Sequence, residues 1–171
     1  DDRYLIILAA AEVPALLAEH QAHIYASDLW SIEEIKSGHP HLSQGTIEQY
    51  VPQMLNLHCL EAISFDKGCY AGQEMIARMK YLGKNKRAAY ILQGNAGSLP
   101  NPADDLQLAV GENWRRSGTI INVAGSAEGL HILAVLPKDL AADAKLRIKD
   151  DDNSVLTVSP LPYLLEPQDN K

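Results

Sequence analysis

The chain has 171 residues, enough for one good core or two small domains, and 46% of them are hydrophobic while 22% are charged. That is the composition of an ordinary soluble globular protein, and no apolar run approaches the roughly 20 residues of a membrane span. A net charge of −7 argues against non-specific nucleic-acid binding by the protein as a whole, and the acidic opening Asp1-Asp2-Arg3 lacks the architecture of a secretory leader.

Taken in order, Tyr4 to Ala9 is apolar on both faces and predicts an interior strand, whose neighbours a preceding portion of protein would supply. Ala10 to His20 predicts a helix, with Glu12, an early Pro14 and apolar Val13, Leu16 and Leu17 on one side. Ser27 or Asp28 can cap a second helix running through Trp30, Ile32 and Ile35 to a close at Gly38, and Pro40 bars its continuation. Trp30, in the first turn, is by its local sequence a packing residue. His39, His41 and His58 have no acid or thiol at ligand spacing and read as surface-loop histidines, so no metal site is expected. Thr46 to Leu60 fits a helix only loosely, interrupted by Pro52.

Lys67-Gly68-Cys69-Tyr70-Ala71-Gly72-Gln73-Glu74 is the stretch around which the chain is organised. Met75 to Met79 behind it reads as a helix, and the two glycines predict a tight turn before its N-terminus. Exposed backbone N–H groups and the helix dipole favour an anion there, and Lys67 adds a positive charge. Cys69 is therefore a candidate reactive thiol, against the alternative of an inert buried cysteine. Cys59 and Cys69 match no zinc spacing, and a reducing cytoplasm is the expected setting. Gln73 and Glu74 can orient a bound species through hydrogen bonds, or Glu74 can simply favour the helix N-terminus.

Arg78, Lys80, Lys84, Lys86 and Arg87 follow with no acid among them. They read either as a solvated face or as a docking surface for a polyanion. Beyond them, Ala88–Gln93, Leu106–Val110, Ser117–Val123, Leu130–Leu136, Leu146–Ile148 and Val155–Val158 are short strand-like runs separated by turn residues. Such spacing indicates a small antiparallel barrel.

The octapeptide, with Ala77-Arg78 and Gly83 to Arg87 after it, resembles the signature of the YgfZ family. Asn56-Leu57, Ile63-Ser64-Phe65, Gly111 to Arg116 and Pro160 to Tyr163 match as well. The resemblance runs from about Trp30 to Tyr163 and covers only the later part of a family member. It implies an α+β chain: the end of an α/β folate-binding domain like that of the glycine cleavage T-protein (residues 1–84), a C-terminal β-barrel (85–165) and a tail (166–171). Residues 63–65 would be a short strand delivering the motif. The resemblance further implies a protein acting with tetrahydrofolate in tRNA modification and in maintenance of iron–sulfur enzymes, with Cys69 as the key motif residue and Trp30 as a folate contact. Its implied partners are folate, iron–sulfur proteins, and tRNA or tRNA-modifying enzymes, with no membrane. The basic run would hold a tRNA backbone or a polyglutamate tail. Alternatives are a true aminomethyltransferase, or an interaction module in which Cys69 is structural.

Overall fold

The computed structural model describes residues 3–65, 67–82 and 85–165. A 3-10 turn at Ala10–Glu12 leads into α1 (Val13–Glu19), followed by α2 (Ser27–Lys36), a second 3-10 turn at Pro52–Leu55, and α3 (Gln73–Leu82). Six strands follow: β1 (Arg87–Asn95), β2 (Asp105–Val110), β3 (Asn113–Ser126), β4 (Gly129–Pro137), β5 (Lys145–Ile148) and β6 (Val155–Ser159). They close into a barrel in the order β1-β4-β3-β2-β5-β6, with every pair antiparallel. The expected α+β class and barrel are thus present.

The two-residue period of a strand sets the barrel's layers. On β1, Tyr90 and Leu92 point inward to meet Leu106, Ile120, Ile132, Leu136, Leu146 and Leu156. Each such fully buried aliphatic side chain stabilises the fold by about 1.5–3 kcal/mol. The alternate β1 residues are apolar too, because this wall is covered from outside. Ala89 and Ile91 pack with Ala124 and Leu133 against Ile32 and Ile35 of α2. Nearby, Leu55 packs on Ile121 and Val135. The barrel's outer wall therefore anchors the helical part.

Buried Asn56 joins the two parts. It adopts left-handed backbone angles (φ 58°), which asparagine tolerates better than most residues. Its Nδ2 donates to the Ala89 carbonyl at 2.7 Å, and the Ala89 N–H donates to its Oδ1 at 3.2 Å. Pairing between β1 and β6 starts only at Ile91. The side-chain amide thus supplies Ala89 with the partners that β6 gives to the residues beyond. Nδ2 also lies 3.3 Å from the Tyr163 hydroxyl, which in turn donates to the Gly38 carbonyl at 3.2 Å. Burial pushes the Tyr163 phenol up. Gly38 has φ 69°, and a Cβ there would fall 2.6 Å from that hydroxyl, so the position demands glycine.

Several expectations need correction. Residues 4–9 form no strand and Tyr4 to Ile7 are exposed, because no described segment lies alongside to bond with them. The cap of α2 is Ala26 rather than Ser27 or Asp28, with no side-chain cap bond. Residues 46–60 hold turns and one 3-10 turn, since Pro52 and left-handed Asn56 stop a helix. Residues 63–65 are not a strand. β3 starts at Asn113, four residues earlier than Ser117, because the exposed residues 113–116 pair with β2.

Candidate functional site

The octapeptide ends where α3 begins. Gly72 has φ 86°, an angle most side chains resist, and its carbonyl accepts from the Met75 and Ile76 amides at 3.1 and 3.3 Å. Glu74 lies in the first turn and pairs loosely with Arg78 at 3.7 Å, an exposed contact of the helix-surface kind. Gly72, Glu74, Met75, Arg78 and Met79 line an open groove of about 490 Å³. The helix is fastened from behind, where the buried Gln53 donates through Nε2 to the Ile76 carbonyl at 2.7 Å. Lys80 lies 3.6 Å from the Phe65 ring centroid, tying α3 to the segment that leads into the motif.

Lys67, Gly68, Cys69 and Tyr70 are all exposed. The side chains of Lys67, Cys69 and Tyr70 make no hydrogen bond, ion pair or ring contact among the described residues. Cys59, in contrast, is half-buried with its Sγ 3.4 Å from the His58 ring.

Trp30 sits elsewhere, on α2, 44% exposed, with the Arg3 guanidinium 5.1 Å above its ring. Arg3 donates to Glu34 at 3.0 Å and to Ser37 at 2.7 Å. His41 contributes Nε2 at 2.9 Å to the second Glu34 oxygen, and His39 lies 3.5 Å from it. His39 and His41 are exposed loop histidines, as expected, but an acid does lie beside them, because the turn at Gly38 carries them back to Glu34 on the preceding helix. Burial pushes the Glu34 carboxyl up, but the His41 hydrogen bond and the charges of His39, Arg3 and His41 together hold it below its ordinary value. The loop is locked to the barrel by Asn122, whose amide accepts from the His41 N–H at 2.9 Å and donates to its carbonyl at 2.7 Å. No group able to hold a metal occurs among the described residues.

The site residues thus do not form one bonded cluster. No hydrogen bond, ion pair or ring contact links Trp30 to residues 67–82. The basic run also disperses: Arg78 and Lys80 belong to α3, Lys86 is exposed just before β1, and Arg87 donates to the Ser117 carbonyl at 3.2 Å. Lys84 lies outside the described residues. Glu34, Asn56 and Gln53 were missed by sequence reasoning, although the Asn56-Leu57 match pointed at one of them.

Residues 85–151 match the family model described as YgfZ, beta-barrel domain. Over 167 residues the chain is 46% identical to the tRNA-modifying protein YgfZ of Serratia proteamaculans, covering 96% of this chain and 51% of that one. The protein of the same name from Pectobacterium atrosepticum is 44% identical over 95% of this chain and 50% of its own length. Residues 85–151 carry the YgfZ barrel domain, and the chain is similar to part of YgfZ proteins. It spans about half the length of the curated relatives it matches. Among solved structures, the glycine cleavage system aminomethyltransferase T of Bartonella henselae superposes with a TM-score of 0.64 at 13% identity, over 91% of this chain and 44% of that one. At that identity the likeness establishes a shared fold and nothing about the reaction. No helix among the described residues is long and apolar enough to cross a membrane.

Proposed function

We propose that this chain is the later part of a folate-binding YgfZ protein that acts in tRNA modification and supports iron–sulfur enzymes. Residues 1–84 would complete the folate-binding domain and residues 85–165 form the barrel. One observation carries the reading: the fold has no use of its own for the side chains of Lys67, Cys69 and Tyr70. They stand exposed just ahead of the turn that opens α3, where the Gln73 N–H donates to the Tyr70 carbonyl at 3.2 Å. Exposed, unpartnered functional groups beside a regular element are what binding or chemistry needs. The name of the Serratia relative supports tRNA modification as the setting.

Trp30 and Arg3 suit folate. A flat pterin stacks well on an exposed indole, and the guanidinium held over that ring by Glu34 and Ser37 suits an anionic ligand. Folate itself supplies one-carbon chemistry; Trp30 orients its ring, and Arg3 offers charge. Cys69 alone does not hold a [2Fe–2S] or [4Fe–4S] cluster, which takes about four thiolates, so its role is that of a reactive thiol or of a ligand shared with a client protein. Residues in the α3 groove, Glu74 and Arg78 among them, border the motif where a client or tRNA segment would lie.

The test separates these roles in the full-length protein. Trp30→Ala is expected to weaken tetrahydrofolate binding by about 1–3 kcal/mol, the scale of a lost stacking platform. Cys69→Ser is expected to leave that affinity intact and to fail in restoring tRNA modification to cells lacking the gene. Unchanged folate binding by Trp30→Ala in a folded protein would remove Trp30 from the site. Full restoration by Cys69→Ser would return the thiol to a structural role.

A further inference from the structure

The helical part covers the outer wall of β1, β4 and the later half of β3, but the outward side of β2, β5 and the first half of β3 carries a different set of side chains. Register places Arg116, Gln107 and Arg147 in one row across the three strands. Trp114 and Ala109 form the next row, with Lys145 one position beyond the last β2–β5 pair. Arg147 is fixed: its Nε donates to Gln107 Oε1 at 2.7 Å, and its guanidinium lies 4.5 Å from the Trp114 ring centroid. Ala109 beside the indole leaves a low point, and Trp114 stays 38% exposed. Lys145 is exposed and makes no ion pair among the described residues.

We propose that this face binds a looped or single-stranded segment of RNA. A base would stack on the Trp114–Arg147 platform while Arg116 and Lys145 meet the flanking phosphates. Stacking on an aromatic ring flanked by cations is the chemistry of sequence-tolerant single-strand recognition. Two acids lie in the patch, Asp105 on Arg116 at 2.8 Å and Asp152 on Arg147. Each pair has one well-exposed partner, Arg116 at 72% and Asp152 at 84%, and one largely covered, Asp105 at 24% and Arg147 at 19%, so water and a phosphate reach each pair from its open side and compete there with the carboxylates. The patch is local, so the overall charge of −7 does not forbid it and instead limits binding to this face. The inference rests on the tRNA reading above and gives it a contact surface distant in sequence from the motif.

The experiment uses the full-length protein with two fluorescent probes, an unmodified tRNA transcript and an oligouridylate, followed by anisotropy at low salt. Both probes are expected to bind. Trp114→Ala should weaken binding about ten-fold, and Trp114→Phe, which keeps a stacking ring, by much less. Lys145→Ala combined with Arg116→Ala should lower the log–log salt slope by about 1.4 units, two single-strand phosphate contacts at about 0.7 each. Tetrahydrofolate affinity and thermal midpoint, measured on the same variants, should match the parent and certify the fold. Absence of RNA binding by the parent protein would overturn the proposal, as would binding indifferent to both Trp114→Ala and the double variant. Neither result touches the folate and Cys69 measurements, so the two readings fail separately.

Discussion

Replacing Asn56 by alanine should cost far more than its position in an irregular segment suggests. The residue is fully buried, and so is Ala89, whose backbone N–H and C=O both bond to the Asn56 amide. Alanine leaves both groups without a partner in a water-free place, and each such group costs about 1–3 kcal/mol. The left-handed backbone at φ 58° adds about 1 kcal/mol, because alanine lacks the local hydrogen bonding that helps asparagine there. Part of the loss is recovered as neighbouring groups shift, so the expected net is about 3–5 kcal/mol out of the roughly 5–15 that holds a domain together. Asn56→Gly removes the same hydrogen bonds without the strain and should be about 1 kcal/mol less damaging. Urea unfolding followed by circular dichroism and tryptophan fluorescence measures both variants, with an unchanged m-value certifying that the same surface is exposed. A loss below about 1 kcal/mol for Asn56→Ala, or a glycine variant worse than the alanine one, would refute the account. Should Asn56→Ala fail to fold, Tyr163→Phe tests the same network more gently, since it removes only the hydroxyl's bonds to Asn56 and the Gly38 carbonyl, each worth about 1 kcal/mol, and leaves Ala89 paired.

Two further outcomes are expected. Exposed Cys69 should react with a thiol reagent faster than half-buried Cys59, measured on Cys59→Ser and Cys69→Ser proteins; equal rates would end the reactive-thiol reading. Stability should fall as pH drops below the ordinary carboxylate range: the folded Glu34 carboxyl titrates below its unfolded value of 4.5, so the unfolded chain binds more protons in that interval. Its contribution is present above the unfolded value and lost as pH falls through the folded one. Glu34→Gln should be less stable near neutrality and show a flatter acid limb, and an acid limb identical to the parent's would dismiss the cluster around Glu34 as inconsequential.

The barrel, α1, α2, α3 and the motif were legible from the order of residues alone. Short apolar runs punctuated by turn residues have one economical solution, and the helix behind the octapeptide contains nothing that breaks one. These signals are local, acting within a few residues. The tertiary structure decided what depends on a partner far along the chain. Tyr4 to Ala9 has a strand's composition and is no strand, because backbone groups need a neighbour to bond with and local composition does not supply one. Asn56 looks like a polar residue in a doubtful helix, and only its position against Ala89, 33 residues on, makes it a substitute for a missing strand partner. His39 and His41 meet Glu34 because the Gly38 turn reverses the chain. The expected strand begins at Ser117, and pairing with β2 extends it back over residues 113–116 and brings Trp114 to Arg147. Hydrophobic periodicity records which side of an element is buried; it carries no record of which distant polar group will lie opposite.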